Sequence, residues 1–243
     1  MKHRPIPILV LAAAAFAASS LGTLRADDHI VTEMSRTYMG QVSPPRATET
    51  WVRDTAVAIL DRGLTTITRF DLKKRWTILD RNKKYLEESL EPQVQKAPTV
   101  RVQELGFGYE PVYTWKVVET GETRNIGGRT CRKVVAEGEA DYAEETREMW
   151  VAVEAPIDLK QYHSRITGSD SDPAWTELVR QSPLLRAGIV LESKHVQTPA
   201  IAPEMTRIFR VTKMEAGVVP PPGLYEIPAG FTKAASLDEL FAR

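Results

Sequence analysis

Apolar and polar positions alternate along most of this chain in runs of five to ten residues separated by turn residues, the pattern of half-buried β-strands. Trp51 to Leu60 (WVRDTAVAIL) is rich in β-formers and predicts a strand, followed by a hairpin loop at Asp61-Arg62-Gly63. Leu64 to Leu72 predicts the next strand, with Leu64, Thr66, Thr68, Phe70 and Leu72 on one face. Lys73-Lys74 turns the chain into Arg75 to Leu79, and Asp80 to Lys84 turns it into Tyr85 to Leu90. Consecutive hairpins of this kind make an antiparallel meander. After a proline-bearing crossing from Glu91 to Pro111, with a short helix expected around Val100 to Leu105, pairing resumes. Tyr113 to Thr120, Thr130 to Gly138 and Glu145 to Val153 are the expected strands, the first two joined through Asn125-Ile126-Gly127-Gly128. Ile189 to Gln197 and Met205 to Met214 predict two more.

Helical periodicity is confined to short stretches. Pro173 suits a first helical position, Ser171 or Asp172 can cap it, and Trp175, Leu178 and Val179 then share one face up to about Pro183. Ser236 to Phe241 opens as a capping box with Glu239 and predicts a short last helix. The class is therefore mainly β with a few helices.

The beginning of the chain follows a different rule. Lys2 and Arg4 precede an apolar stretch from Ile6 to Ala18, and Leu24-Arg25-Ala26 offers a small residue before Asp27-Asp28. This is the layout of a secretory signal peptide over residues 1–26, leaving one β domain over 27–243. The apolar run is shorter than the roughly 20 residues of a spanning helix. The expected location is periplasmic or secreted, and an integral membrane protein is not expected. No cysteine near the cut supplies a lipid-attachment site, and the single cysteine, Cys131, rules out an intrachain disulfide.

Charge narrows the partners. The chain carries 32 Lys and Arg against 32 Asp and Glu, and loss of the leader removes Lys2, Arg4 and Arg25, leaving a mildly acidic remainder. Nothing in that balance favours nucleic acid. Catalytic signatures are absent: there is no nucleophile elbow, phosphate-binding glycine loop or paired-histidine helix. His29, His163 and His195 lie far apart without Cys or carboxylate neighbours at ligand spacing, so neither a metal nor another cofactor is expected. Cys131 reads as a small buried hydrophobe, an enzyme needing His163 or His195 brought to it by the fold. Asp170 and Asp172 read as helix-capping residues better than as a calcium loop. Glu144, Glu145 and Glu148, alternating with Arg147, read as a solvated strand face.

Three motifs add to this reading. The hairpin TGETRNIGGRTCRKVVAEG from Thr120, the strand–turn–strand WTILDRNKKYLEESL from Trp76, and the close Ile227-Pro228-Ala229-Gly230-Phe231 occur in this order. Together, between Trp51 and Lys233, they resemble an exported bacterial branch of the LolA/LppX-like superfamily of periplasmic lipoprotein and lipid carriers. The resemblance implies a strongly curved antiparallel sheet, an unclosed barrel with helices over its mouth, that holds acyl groups in its hollow. On that footing Phe70, Trp76, Ile78, Trp115 and Trp150 line the hollow and Trp175 sits on the lid. The expected function is non-enzymatic binding of a lipid-like ligand. The alternative is an interaction or assembly factor with a fully packed barrel, a protein partner and no small-molecule ligand.

Overall fold

A computed structural model of the chain describes residues 26–91, 112–167 and 173–242. The leader, the helix expected around Val100 to Leu105 and the capping residues Ser171 and Asp172 lie outside them. Thirteen strands form a single sheet: β1 (Asp27–Tyr38), β2 (Gln41–Val42), β3 (Arg46–Arg53), β4 (Ala56–Asp61), β5 (Leu64–Arg69), β6 (Lys74–Leu79), β7 (Lys84–Ser89), β8 (Thr114–Ile126), β9 (Arg129–Ala140), β10 (Ala143–Ala152), β11 (Ile189–Pro199), β12 (Met205–Val218) and β13 (Thr232–Lys233). Their order is β13-β7-β6-β5-β4-β3-β1-β12-β11-β10-β9-β8, with β2 paired to β1. The two ends of this order do not meet, so the sheet is an unclosed, mainly β layer. Pairing is antiparallel except between β13 and β7.

Local chemistry explains the hairpins. Arg62-Gly63 and Gly127-Gly128 form two-residue loops with positive φ at both positions, the mirror-image turn whose twist suits antiparallel strands. The expected strand Trp51–Leu60 is in fact two. Arg53 pairs with Ala56, which makes Asp54-Thr55 a tight turn, and the Phe70 amide then donates to the Thr55 carbonyl at 2.9 Å. The next expected strand also ends early, at Arg69, leaving Leu72 exposed. Its most buried apolar residue is Ile67, on the face opposite the Leu64–Thr66–Thr68 series.

The central element is β1, which the alternation did not single out. It joins β3 to β12 and so connects the five-strand meander β3–β7 to the C-terminal strands. Asp27, at its start, is buried, accepts from Tyr225 Oη at 2.7 Å and pairs with Arg53 at 2.9 Å. The Arg53 guanidinium lies 3.8 Å over the Tyr225 ring, so this corner fastens the C-terminal segment to the meander.

The described residues include four α-helices: α1 (Leu159–Tyr162), continued by one π-helical turn at His163–Thr167, α2 (Pro173–Gln181), α3 (Pro183–Ala187) and α4 (Leu237–Phe241). In α4, Ser236 Oγ accepts from the Glu239 amide, the cap expected there, and Glu239 Oε2 accepts from the Ala235 amide, one residue before the cap. In α2, Leu178 is fully buried, with Trp175 and Val179 half-buried beside it. Gln181 Nε2 donates to the Trp115 carbonyl at 2.9 Å, and Glu119 accepts from Ser182 Oγ at 2.7 Å and the Leu184 amide at 2.9 Å. These bonds tie α2 and α3 to β8.

Two cores result. Trp51, Ala58, Ile67, Trp76, Ile78 and Tyr225 pack under the C-terminal segment, while Trp115, Val134, Ala136, Met149, Leu178 and Leu185 pack under α2 and α3. Trp51 pairs with odd-numbered His29 of β1, whereas Met149 belongs to a ladder that reaches even-numbered Met34. Alternation therefore sets the two cores on opposite faces of the sheet.

Candidate functional site

A cleft of about 390 Å³ opens between the sheet and its helices. Its floor is Met34 of β1, Arg207 and Phe209 of β12, Ile189, Val190, Ser193 and His195 of β11, and Met149 of β10. Its roof is Tyr162, His163 and Ile166 of α1 and the π-helical turn, with Trp175 of α2 and Gly188 at the start of β11. The strand register arranges the floor in two rows. Met149 pairs with Ser193, Ser193 with Phe209, and Phe209 with Met34. One step along, Arg147 pairs with His195, His195 with Arg207, and Arg207 with Arg36. The first row is chiefly apolar and the second is basic.

Gly188 shapes the roof. A Cβ there would lie 2.6 Å from both the Ala152 carbonyl oxygen and Val151 Cγ1, so no larger residue lets α3 pass this close to β10 before the chain enters β11.

The polar end is tightly built. Arg147 Nε donates to Glu145 Oε1 at 2.7 Å with both side chains buried, and the Arg147 guanidinium lies 4.7 Å from the Trp115 ring centre. Glu144 stays exposed, but Glu145 and Arg147 do not form the solvated face expected of this charged run. They turn inward at alternate positions and satisfy each other as an ion pair. Gln197 Nε2 donates to Tyr113 Oη at 2.9 Å, and Gln197 Oε1 accepts from Arg207 Nη2 at 3.4 Å. Burial, followed by the neighbouring Arg147 and Arg207 charges, pushes His195 down to about 3, which keeps the imidazole neutral near pH 7. Burial alone pushes the Tyr162 phenol up to about 12.

The six residues expected to line one hollow are divided among several environments. Trp175 lines the cleft. Trp115 packs in the core beside it, 5.2 Å from Tyr113 between ring centres. Trp76 and Ile78 belong to the other core, where Trp76 Nε1 donates to Glu87 Oε2 at 2.9 Å. Phe70 lies beneath the Arg165 guanidinium at 4.4 Å. Trp150 follows inward-facing Met149 and so points to the opposite face, under Arg124 at 4.4 Å. His195, Arg207, Met149 and Phe209 were missed as a group. Only the pairing of β10, β11, β12 and β1 brings them together, and no local motif announces that pairing.

Cys131 is fully buried and its thiol is pushed up by burial, as for a packed hydrophobe. Among the described residues, no group of three or more His, Cys, Asp or Glu side chains is placed to hold a metal ion. Nor is any helix among them long and apolar enough to cross a membrane.

No protein-family model matches the chain, and no curated protein does. Among solved structures, the chain is similar to PNGF-II in two crystal forms, with TM-scores of 0.40 and 0.39 at 14% and 12% identity. These alignments cover 90% and 86% of this chain but 33% and 31% of PNGF-II, so the chain spans about a third of that protein's length. It is also distantly similar to a LolA superfamily protein from Nitrosomonas europaea, with a TM-score of 0.28 at 8% identity, over 81% of this chain and 87% of that one. Likenesses at this level identify neither a family nor a ligand.

Proposed function

We propose that this is an exported binding protein that holds a lipid-like hydrophobic molecule in the cleft between its sheet and helices, without converting it. The single observation behind this reading is the unfilled, predominantly apolar cleft of about 390 Å³, a volume within the ordinary range for ligand pockets. A fully packed interior would instead have favoured the interaction-factor alternative. Met34, Met149, Phe209 and Trp175 supply the apolar wall, and each methylene buried against it would stabilise a complex by about 0.8 kcal/mol before ordering costs. Export rests on the leader pattern in residues 1–26.

Organic extraction of the purified protein followed by mass spectrometry tests the reading. A bound lipid at a fixed ratio to protein is expected. Extracts free of lipid, together with no saturable uptake of a fluorescent fatty-acyl probe, would overturn it.

A further inference from the structure

The basic row next to the apolar row calls for an explanation. Residues directly opposite each other in an antiparallel pair are close neighbours, and like charges there destabilise the sheet. Yet Arg207 of β12 stands opposite Arg36 on one side and His195 on the other, with Arg147 beyond. Several other arginines in this fold have carboxylates at hand. Arg147 has Glu145 at 2.7 Å, Arg53 has Asp27 at 2.9 Å, and Arg210, three residues along β12 from Arg207, has Glu192 at 3.7 Å. Among the described residues, no carboxylate lies within ion-pair distance of Arg207, which donates to the Gln197 amide oxygen at 3.4 Å. A guanidinium has five N–H donors in a fork that matches a carboxylate or phosphate. Arg207 is half-buried and lines the cleft, so part of its hydration has been lost without an anion in return.

We infer that the cleft takes a single-chain amphiphile with an anionic head, carboxylate or phosphate, bound by Arg207 beside His195, its alkyl chain lying along Met149, Ser193 and Phe209. The assignment rests on the hydrophobic-ligand reading above and adds polarity and direction to it. The head sits toward Gln197 and the chain runs toward Ile189, because the two rows follow each other in that order along β11. His195, a neutral imidazole, contributes an N–H donor. Arg147 stays paired with Glu145.

The test is a set of binding titrations by calorimetry with dodecanoate, dodecyl phosphate, dodecanol, and inorganic phosphate or acetate as headgroups without a chain. The wild type is expected to bind the two anionic amphiphiles about tenfold or more tightly than dodecanol, as charge-assisted hydrogen bonds require. Arg207→Gln should remove that preference, read as the ratio of dodecanoate to dodecanol affinity, a readout that a merely misfolded variant would not give. Arg207→Lys, which keeps the charge, should retain much of the preference. Equal binding of dodecanoate and dodecanol by the wild type would overturn the headgroup assignment and leave the hydrophobic-ligand reading standing. So would Arg207→Gln weakening both alike, whereas chainless phosphate binding as tightly as the amphiphiles would overturn the hydrophobic-ligand reading. Binding of neither dodecanoate nor dodecanol would overturn the hydrophobic-ligand reading and the assignment with it.

Discussion

His195 ties the cleft to the stability of the whole domain. In the unfolded chain a histidine titrates near its ordinary value, about 6.5. In the fold, burial and the Arg147 and Arg207 charges hold His195 down at about 3. Below about pH 6.5 the unfolded state therefore takes up a proton that the folded state refuses, and stability falls as the pH falls. The loss continues until the folded side chain itself protonates, near pH 3. Within this window a single refused proton costs about 1.4 kcal/mol per pH unit, so moving from pH 7.5 to pH 5 removes about 2 kcal/mol. Urea unfolding followed by tryptophan fluorescence at several pH values measures this directly. Other groups titrate nearby: His163 is also held down by burial, Asp28 is held up by burial, and Glu87 is held at about 2 by its Trp76 and Lys233 partners. They cancel when wild type is compared with His195→Leu, which has no side chain to titrate at that position. The variant should lose about 2 kcal/mol less than wild type between pH 7.5 and pH 5. Parallel pH profiles for the two proteins would refute the neutral imidazole.

Three further outcomes follow from particular contacts. Ser193→Phe places a ring on the cleft floor between Met149 and Phe209, and should weaken binding of a fatty-acyl probe at least tenfold, measured by fluorescence titration, in a protein that still unfolds cooperatively. Gly138→Ala would bring a methyl group to 2.8 Å from the Trp115 ring, opposite it on β8. It should cost about 1–3 kcal/mol in urea unfolding. Tyr225→Phe removes the hydroxyl that donates to buried Asp27 and should cost about 1–3 kcal/mol in the same assay, with Arg53 left as the remaining partner of that carboxylate.

What the sequence revealed was mostly local. The turns at Arg62-Gly63 and Gly127-Gly128, the cap at Ser236 and the buried stripe of α2 each depend on a few neighbouring residues, and the structure contains all of them. Elements whose role is set at long range were harder to read. β1 (DDHIVTEMSRTY) shows no clean alternation because strands flank it on both sides and side chains from both of its faces are buried, as for His29 and Ile30. Glu145 and Arg147 looked solvated because charged residues usually are; each is buried because the other is there. The tryptophans could not be assigned to faces from spacing alone. Trp150 is one residue from inward-facing Met149, and a bulge in β11 opposite Trp150 shifts the register further. The basic row is invisible in the sequence, since Arg147, His195, Arg207 and Arg36 belong to four strands that only the ladder aligns.

The central claim is that the cleft receives an alkyl chain, and a chain-length series tests it most directly. Calorimetric titration of straight-chain carboxylates from butanoate upward should show affinity rising about fourfold for each added methylene, the equivalent of about 0.8 kcal/mol, and then levelling off once the cleft is full. An affinity independent of chain length, or no saturable binding at any length, would contradict the account.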